Sequence, residues 1–126
     1  KGNSKLITLP HLGASTPAAE ENCAIMVADQ LKDFLEHGNI HNSVNFPEIK
    51  LARIGDARLA IANENRPDMV AQISHVLGQS GVNIHHMRNE SRGDLAYTLL
   101  DMDEAIDDGT LAKITAIDGV LSARQL

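Results

Sequence analysis

The sequence has 126 residues, 43% of them hydrophobic but only 2% aromatic, and 11 basic side chains against 17 acidic ones leave a net charge of −6. That length allows one domain with an appendage and excludes a complete two-domain enzyme, since domains typically run ~100–150 residues. The acidic balance offers no basic face for nucleic acid and no Lys/Arg cluster for an anionic membrane, so neither is expected as a partner.

Cys23 is the only cysteine, which rules out an intrachain disulfide and makes the reducing cytoplasm the natural setting. No apolar run approaches the ~18 residues of a membrane span. The chain opens on Lys1 rather than Met with no targeting pattern, as expected for a fragment or a partly visible chain.

In chain order, residues 5–9 (Lys-Leu-Ile-Thr-Leu) read as a short buried strand ended by Pro10, which cannot donate to a ladder. After a loop, Thr16 and Pro17 have the N-cap and first-turn character that starts a helix. Ala24, Val27, Ala28, Leu31 and Phe34 recur on one helical face, and Gly38 is placed to end it. Residues 39–54 carry no period and read as a linker with extended character.

From Asp56 the pattern becomes βαββαβ. Residues 58–62 form a strand, and Pro67 opens a helix with Val70, Ile73 and Leu77 on one face. Residues 82–90 and 95–102 form two more strands joined by a turn at 91–94. Asp107 and Asp108 are capping candidates for a second helix bearing Leu111, Ile114 and Ile117, and 120–125 is the last strand. Both helices leave through a Gly-Val pair, Gly81-Val82 and Gly119-Val120. The expected class is α+β, a ferredoxin-like split βαβ unit with two helices on one face of a four-stranded antiparallel sheet. About 70 residues is small for one core, so pairing with another copy is expected.

Pro10-His-Leu-Gly-Ala-Ser-Thr16 followed by a helix resembles the catalytic-histidine loop of the D-2-hydroxyacid dehydrogenases. Residues 42–48 (Asn-Ser-Val-Asn-Phe-Pro-Glu), Asn63-Glu-Asn-Arg-Pro67 and Gly81-Val-Asn-Ile84 resemble one branch of that family. Its members oxidise 3-phosphoglycerate with NAD, in serine biosynthesis, and end in a regulatory ACT domain. The resemblance divides the chain into residues 1–38 (the end of the dehydrogenase domains), a linker at 39–54, and an ACT domain at 55–126.

By that resemblance His11 is the base that takes the hydroxyl proton as hydride leaves C2 of the substrate, a task suited to imidazole. His11, Leu12, Gly13 and Ala14 would line the nicotinamide of NAD. No G-x-G-x-x-G occurs in the sequence, so the chain by itself is expected to be catalytically silent. The resemblance also implies an effector site for L-serine, or another amino acid, shared between two ACT domains of a homo-oligomer. Asn63 and Asn65 would come from one subunit and Asn83 from its partner. Amide side chains offer both donor and acceptor to such a ligand. At two positions the chain departs from the family pattern: Asn63 stands where His is usual, and Asp68 where Gly is usual.

Two alternatives stand beside this reading. One is a non-catalytic ACT module that binds an amino acid or only dimerises. The other is a relative acting on glyoxylate-like or lactate-like acids, against which the appended ACT domain argues. No metal site is expected. His37 and His41 are separated by the helix end, His85 and His86 lie on a strand and should face opposite ways, and no set of ligands completes a tetrahedral site. Cys23 reads as a small core residue, and the acidic run Asp101, Asp103, Glu104, Asp107 and Asp108 as a solvated loop and helix start.

Overall fold

The computed structural model describes residues 16–126. The strand expected at 5–9 and the loop carrying His11, Leu12, Gly13 and Ala14 lie outside the described residues.

Helix α1 runs Pro17–His37. Thr16 has an extended backbone, and its hydroxyl accepts the Ala19 N–H at 3.1 Å. At the other end Gly38 takes the left-handed conformation (φ 74°) and its N–H bonds the Phe34 carbonyl. A Cβ at Gly38 would lie 2.9 Å from Leu99 and 3.2 Å from Ala60, so the turn is pressed onto the sheet. Both ends match the sequence reading. The body of the helix does not pack as a core element, since none of its residues is buried. Ile25, Met26, Val27, Leu31 and Leu35 are exposed, as is Cys23, which was expected in a core.

The remaining elements are β1 (Ala57–Glu64), α2 (Met69–Gln79), β2 (Ile84–Arg92), β3 (Leu95–Met102), α3 (Asp108–Thr115) and β4 (Val120–Gln125). The four strands form one antiparallel sheet in the order β2-β3-β1-β4, the expected ferredoxin-like α+β arrangement. Asp107 caps α3 as expected, its carboxylate accepting the Thr110 N–H at 2.6 Å.

The sheet has two apolar layers. On the helix side, Leu59, Ile61, Leu100 and Met102 pack with Ile73 and Leu77 of α2 and Ile114 of α3. On the outer side, Ala60, Ala62, Tyr97 and Leu99 are covered by Ile40 and Ile49, with Phe34, Phe46, Leu51 and Leu126 at the margin. Residues 39–54 therefore lie across the sheet, and Ile40 and Ile49 pair in an antiparallel bridge. The side chain of Asn39 fastens this segment at both ends: it donates to Asp33 (2.9 Å) and accepts the Leu51 N–H (3.0 Å).

A buried ion pair ties the outer layer together. Arg58 and Asp101 face each other across β1 and β3, both fully buried, in a bidentate pair (Nε–Oδ1 2.6 Å, Nη2–Oδ2 2.9 Å). The Ile54 N–H donates to Asp101, and Arg58 Nη1 donates to the His37 carbonyl at the end of α1. Burial pushes the Asp101 carboxyl up. Hydrogen bonds from Arg58 and Ile54, with the charges of Arg58 and Arg53, outweigh that and hold it below the ordinary Asp value. Asp101, expected at the start of a solvated acidic run, is instead buried in β3 and paired with Arg58.

Candidate functional site

The family pattern placed three asparagines in an effector site, and the sheet register locates each. Asn63 lies near the end of β1, level with Ala96 of β3, and is 1% exposed. Its Nδ2 donates to the Glu64 carbonyl at 2.8 Å, and its Oδ1 accepts from the Thr98 hydroxyl at 3.5 Å. Thr98, also buried, accepts in turn from Asn89 of β2 at 2.7 Å. An amide–hydroxyl–amide row thus crosses three strands. The sequence reading picked out Asn63 but neither Thr98 nor Asn89. Both were legible only once the register set them side by side.

Asn65 is exposed just beyond β1. Its N–H bonds the Asp94 carbonyl (2.8 Å) and its Nδ2 the Gly93 carbonyl (2.9 Å), pinning the loop after β1 to the β2–β3 turn. A depression of about 390 Å³ lined by Glu64, Asn65, Arg66, Asp94, Leu95 and Leu121 opens here. Arg66 spans it, pairing with Glu64 (3.2 Å) and Asp118 (3.3 Å).

Asp68 precedes α2 with φ 69° and makes no side-chain capping bond. The left-handed backbone explains why glycine suits this position, and the exposed carboxylate stays at the helix N-terminus.

Asn83 is elsewhere. Ile84, the next residue, is level with Met102 and hence with Ala57, at the opposite end of the sheet from Asn63. Six residues along a strand at ~3.3 Å each separate the two ends by about 20 Å. Asn83 bonds through its main chain to Asp103 and is exposed. Within one protomer the structure brings Asn63 and Asn65 to one end and leaves Asn83 at the other.

The histidines considered as ligands are also placed. His41 bonds Asp33 at 3.1 Å and lies 3.4 Å from Glu48, joining α1 to the segment over the sheet. His85 and His86 are exposed on edge strand β2. A register shift between Ile84 and His86 interrupts the strict alternation expected there. Among the described residues no three His, Cys, Asp or Glu side chains gather as metal ligands, and no helix is long and apolar enough to cross a membrane.

No protein-family model matches the chain. It is 32% identical over 123 residues to D-3-phosphoglycerate dehydrogenase of Escherichia coli, a match covering 96% of the chain. It is 31% identical over 122 residues to that enzyme of Haemophilus influenzae, and 30% identical over 114 residues to D-3-phosphoglycerate dehydrogenase 1 of Saccharomyces cerevisiae, covering 96% and 86% of the chain. The chain spans 30% of the length of the two bacterial relatives and 24% of the yeast one. Among solved structures, the ACT domain of GTP pyrophosphokinase from Chlorobium tepidum aligns with TM-score 0.49 and 20% identity, over 56% of this chain and 95% of that one. A homoserine dehydrogenase from Thiobacillus denitrificans aligns with TM-score 0.48 and 22% identity, over 56% of this chain and 16% of that one. Over nearly its whole length, this chain is homologous to one segment of the D-3-phosphoglycerate dehydrogenases.

Proposed function

We propose that the chain is the regulatory and pairing part of an NAD-dependent phosphoglycerate dehydrogenase, with an ACT-type domain that binds L-serine or another amino acid between two copies. The parent reaction is oxidation of 3-phosphoglycerate to 3-phosphohydroxypyruvate in serine biosynthesis, in the cytoplasm. The similarity to enzymes of that name supports the reaction.

The observation that carries the effector site is the separation of Asn83 from Asn63 and Asn65. No single protomer can bring the three to one ligand. β2 is an edge strand of nine residues. Pairing two β2 edges antiparallel about a two-fold axis exchanges the ends. The partner's start of β2 then comes to the end that carries Asn63 and Asn65. A ligand held there clamps the interface and so biases a quaternary equilibrium. Its carboxylate is favoured by the N-terminus of α2 and its ammonium and hydroxyl by the amides.

Within the same reading His11 is the proton acceptor, and His11, Leu12, Gly13 and Ala14 lie against the nicotinamide. Among the described residues there is no glycine-rich strand-to-helix turn of the kind that holds a dinucleotide. The exposed apolar side of α1 suits a helix that packs on the dehydrogenase domains. In the full-length enzyme, His11→Asn should lower kcat about 10²–10⁴-fold, the usual span for a general base, with NAD affinity retained. Near-normal turnover would refute the assignment.

The second reading, a pairing module without an effector, is favoured by one observation: the Asn63 amide is already bonded internally, and Asp68 adds a carboxylate nearby. Calorimetry with L-serine and a panel of amino acids separates the two. Saturable heat with serine supports regulation, whereas no heat at millimolar concentrations from a dimeric chain supports pairing alone.

A further inference from the structure

The row of side chains from Asn63 through Thr98 to Asn89 stops at the rim of the sheet, because β2 is an edge strand and Asn89 is exposed on it. Thr98 lies level with Ile61, and Met87, two residues before Asn89, packs with the helix-side core. The row therefore runs along the helix side of the sheet. Asn89 gives one N–H to the Thr98 hydroxyl at 2.7 Å. Among the described residues its amide oxygen and second N–H have no protein partner, so the row ends in an open acceptor and an open donor. Arg88 and Glu90 flank Asn89 on the outer face, half-exposed and 3.2 Å from each other, with Arg88 also bonded to the Lys50 carbonyl.

When two β2 strands pair antiparallel about a two-fold axis normal to the sheet, opposed residues share a face, and the axis passes beside one residue and its copy. Each choice of that residue sets different charges against each other. An axis at Arg88 or at Glu90 opposes like charges, which destabilises a sheet. An axis at Met87 sets Arg88 against the partner's His86. An axis at Asn89 sets Arg88 against the partner's Glu90 and Glu90 against the partner's Arg88, two opposite-charge pairs. Met87 then meets the partner's Ser91, and His86 the partner's Arg92 at the end of the paired stretch. On the helix side the two Asn89 amides meet, each supplying the donor and acceptor that the other has open. The start of the partner's β2 comes level with the Gly93–Asp94 turn, to which Asn65 is bonded.

We propose that two copies of this chain pair through β2 with the two-fold axis at Asn89. Asn63, Thr98 and Asn89 then join their symmetry copies in one polar row across six strands, three from each copy. A lone Asn fixes register in the same way in coiled coils. The proposal rests on the reading that β2 edges pair, and it is independent of serine binding.

Disulfide trapping reads this register. Opposed residues on antiparallel strands have Cα atoms ~4.5–5.5 Å apart, within the ~4.4–6.8 Å span of a disulfide. With the axis at Asn89, the two copies of residue 88, or of residue 90, are about 8 Å apart and those of residue 87 about 14 Å. In a Cys23→Ser background, Asn89→Cys should therefore oxidise to a covalent dimer about tenfold or more faster than Met87→Cys, Arg88→Cys or Glu90→Cys. Asn89→Ala, which keeps the strand and removes the amide, should weaken the dimer about tenfold in sedimentation. A dimer that links fastest at residue 87, 88 or 90, or an undiminished dimer in Asn89→Ala, would overturn the register and leave β2 pairing standing. A dimer that links at none of the four positions, or a chain that sediments as a monomer, would overturn β2 pairing as well.

Discussion

Arg58 and Asp101 are the residues whose loss the fold should feel most sharply. Breaking a buried pair on one side leaves an uncompensated charge, at about 3–5 kcal/mol. Urea unfolding of Asp101→Asn should show a loss of that order. The double replacement Arg58→Met with Asp101→Leu should lose much less, because no charge is left stranded. The pair also sets an acid limit. Asp101 has a folded pKa below its ordinary value of 3.8, so its contribution is complete above that value and is lost as pH falls through the depressed one. Unfolding midpoints measured from pH 6 downward should hold until about pH 4 and then fall; Asp101→Asn should flatten that fall. Asp68 is a second test at this scale. Relieving its left-handed backbone with Asp68→Gly should raise stability by up to about 1 kcal/mol. It should also tighten serine binding by removing a like charge from the helix N-terminus. Unchanged serine affinity in calorimetry would place Asp68 outside the effector's reach.

At the scale of elements, local chemistry made the ends legible. Thr16-Pro17, Gly38 and Asp107 cap their helices as their residue types predict, and the third and fourth strands have the boundaries the pattern implies. The segment 39–54 was not legible in this way. It has neither helical nor strand period, and Ile40, Phe46, Ile49 and Leu51 gain meaning only against the alanines and Tyr97 of the sheet. Asp101 was hidden for a related reason: an acidic residue near other acidic residues reads as solvent-facing until the register sets Arg58 opposite it. The candidate effector residues came from family resemblance, and nothing in the local pattern pointed to Thr98 or Asn89. The entry of this segment into β1 makes a sharp prediction. A Cβ on Gly55 would sit 2.5 Å from the Met102 carbonyl oxygen, a backbone atom with little room to move. Gly55→Ala should therefore cost roughly 1–3 kcal/mol, read as a lower thermal midpoint. An unchanged midpoint would mean that the segment is loosely held.

At the scale of the whole molecule, one sheet carries two layers of different use. Its helix side is a conventional aliphatic core. Its outer side binds the end of α1 and the 39–54 segment through Arg58, Asp101 and Asn39, so that the long helix and the sheet are joined by buried polar contacts. Among the described residues, the two edge strands β2 and β4 have no further strand beside them, and the ends of the sheet carry Asn63 with Asn65 and, about 20 Å away, Asn83. An effector site built from them requires two chains. The direct test is complementation: calorimetry with L-serine on Asn65→Ala, on Asn83→Ala, and on an equimolar mixture allowed to exchange subunits. Each variant alone should have lost tight binding. The mixture should recover wild-type affinity at about a quarter of the wild-type sites, because half the dimers pair an intact Asn65 with an intact Asn83 on one side only. No recovery in the mixture, or undiminished binding in either variant alone, would contradict a site shared between two copies.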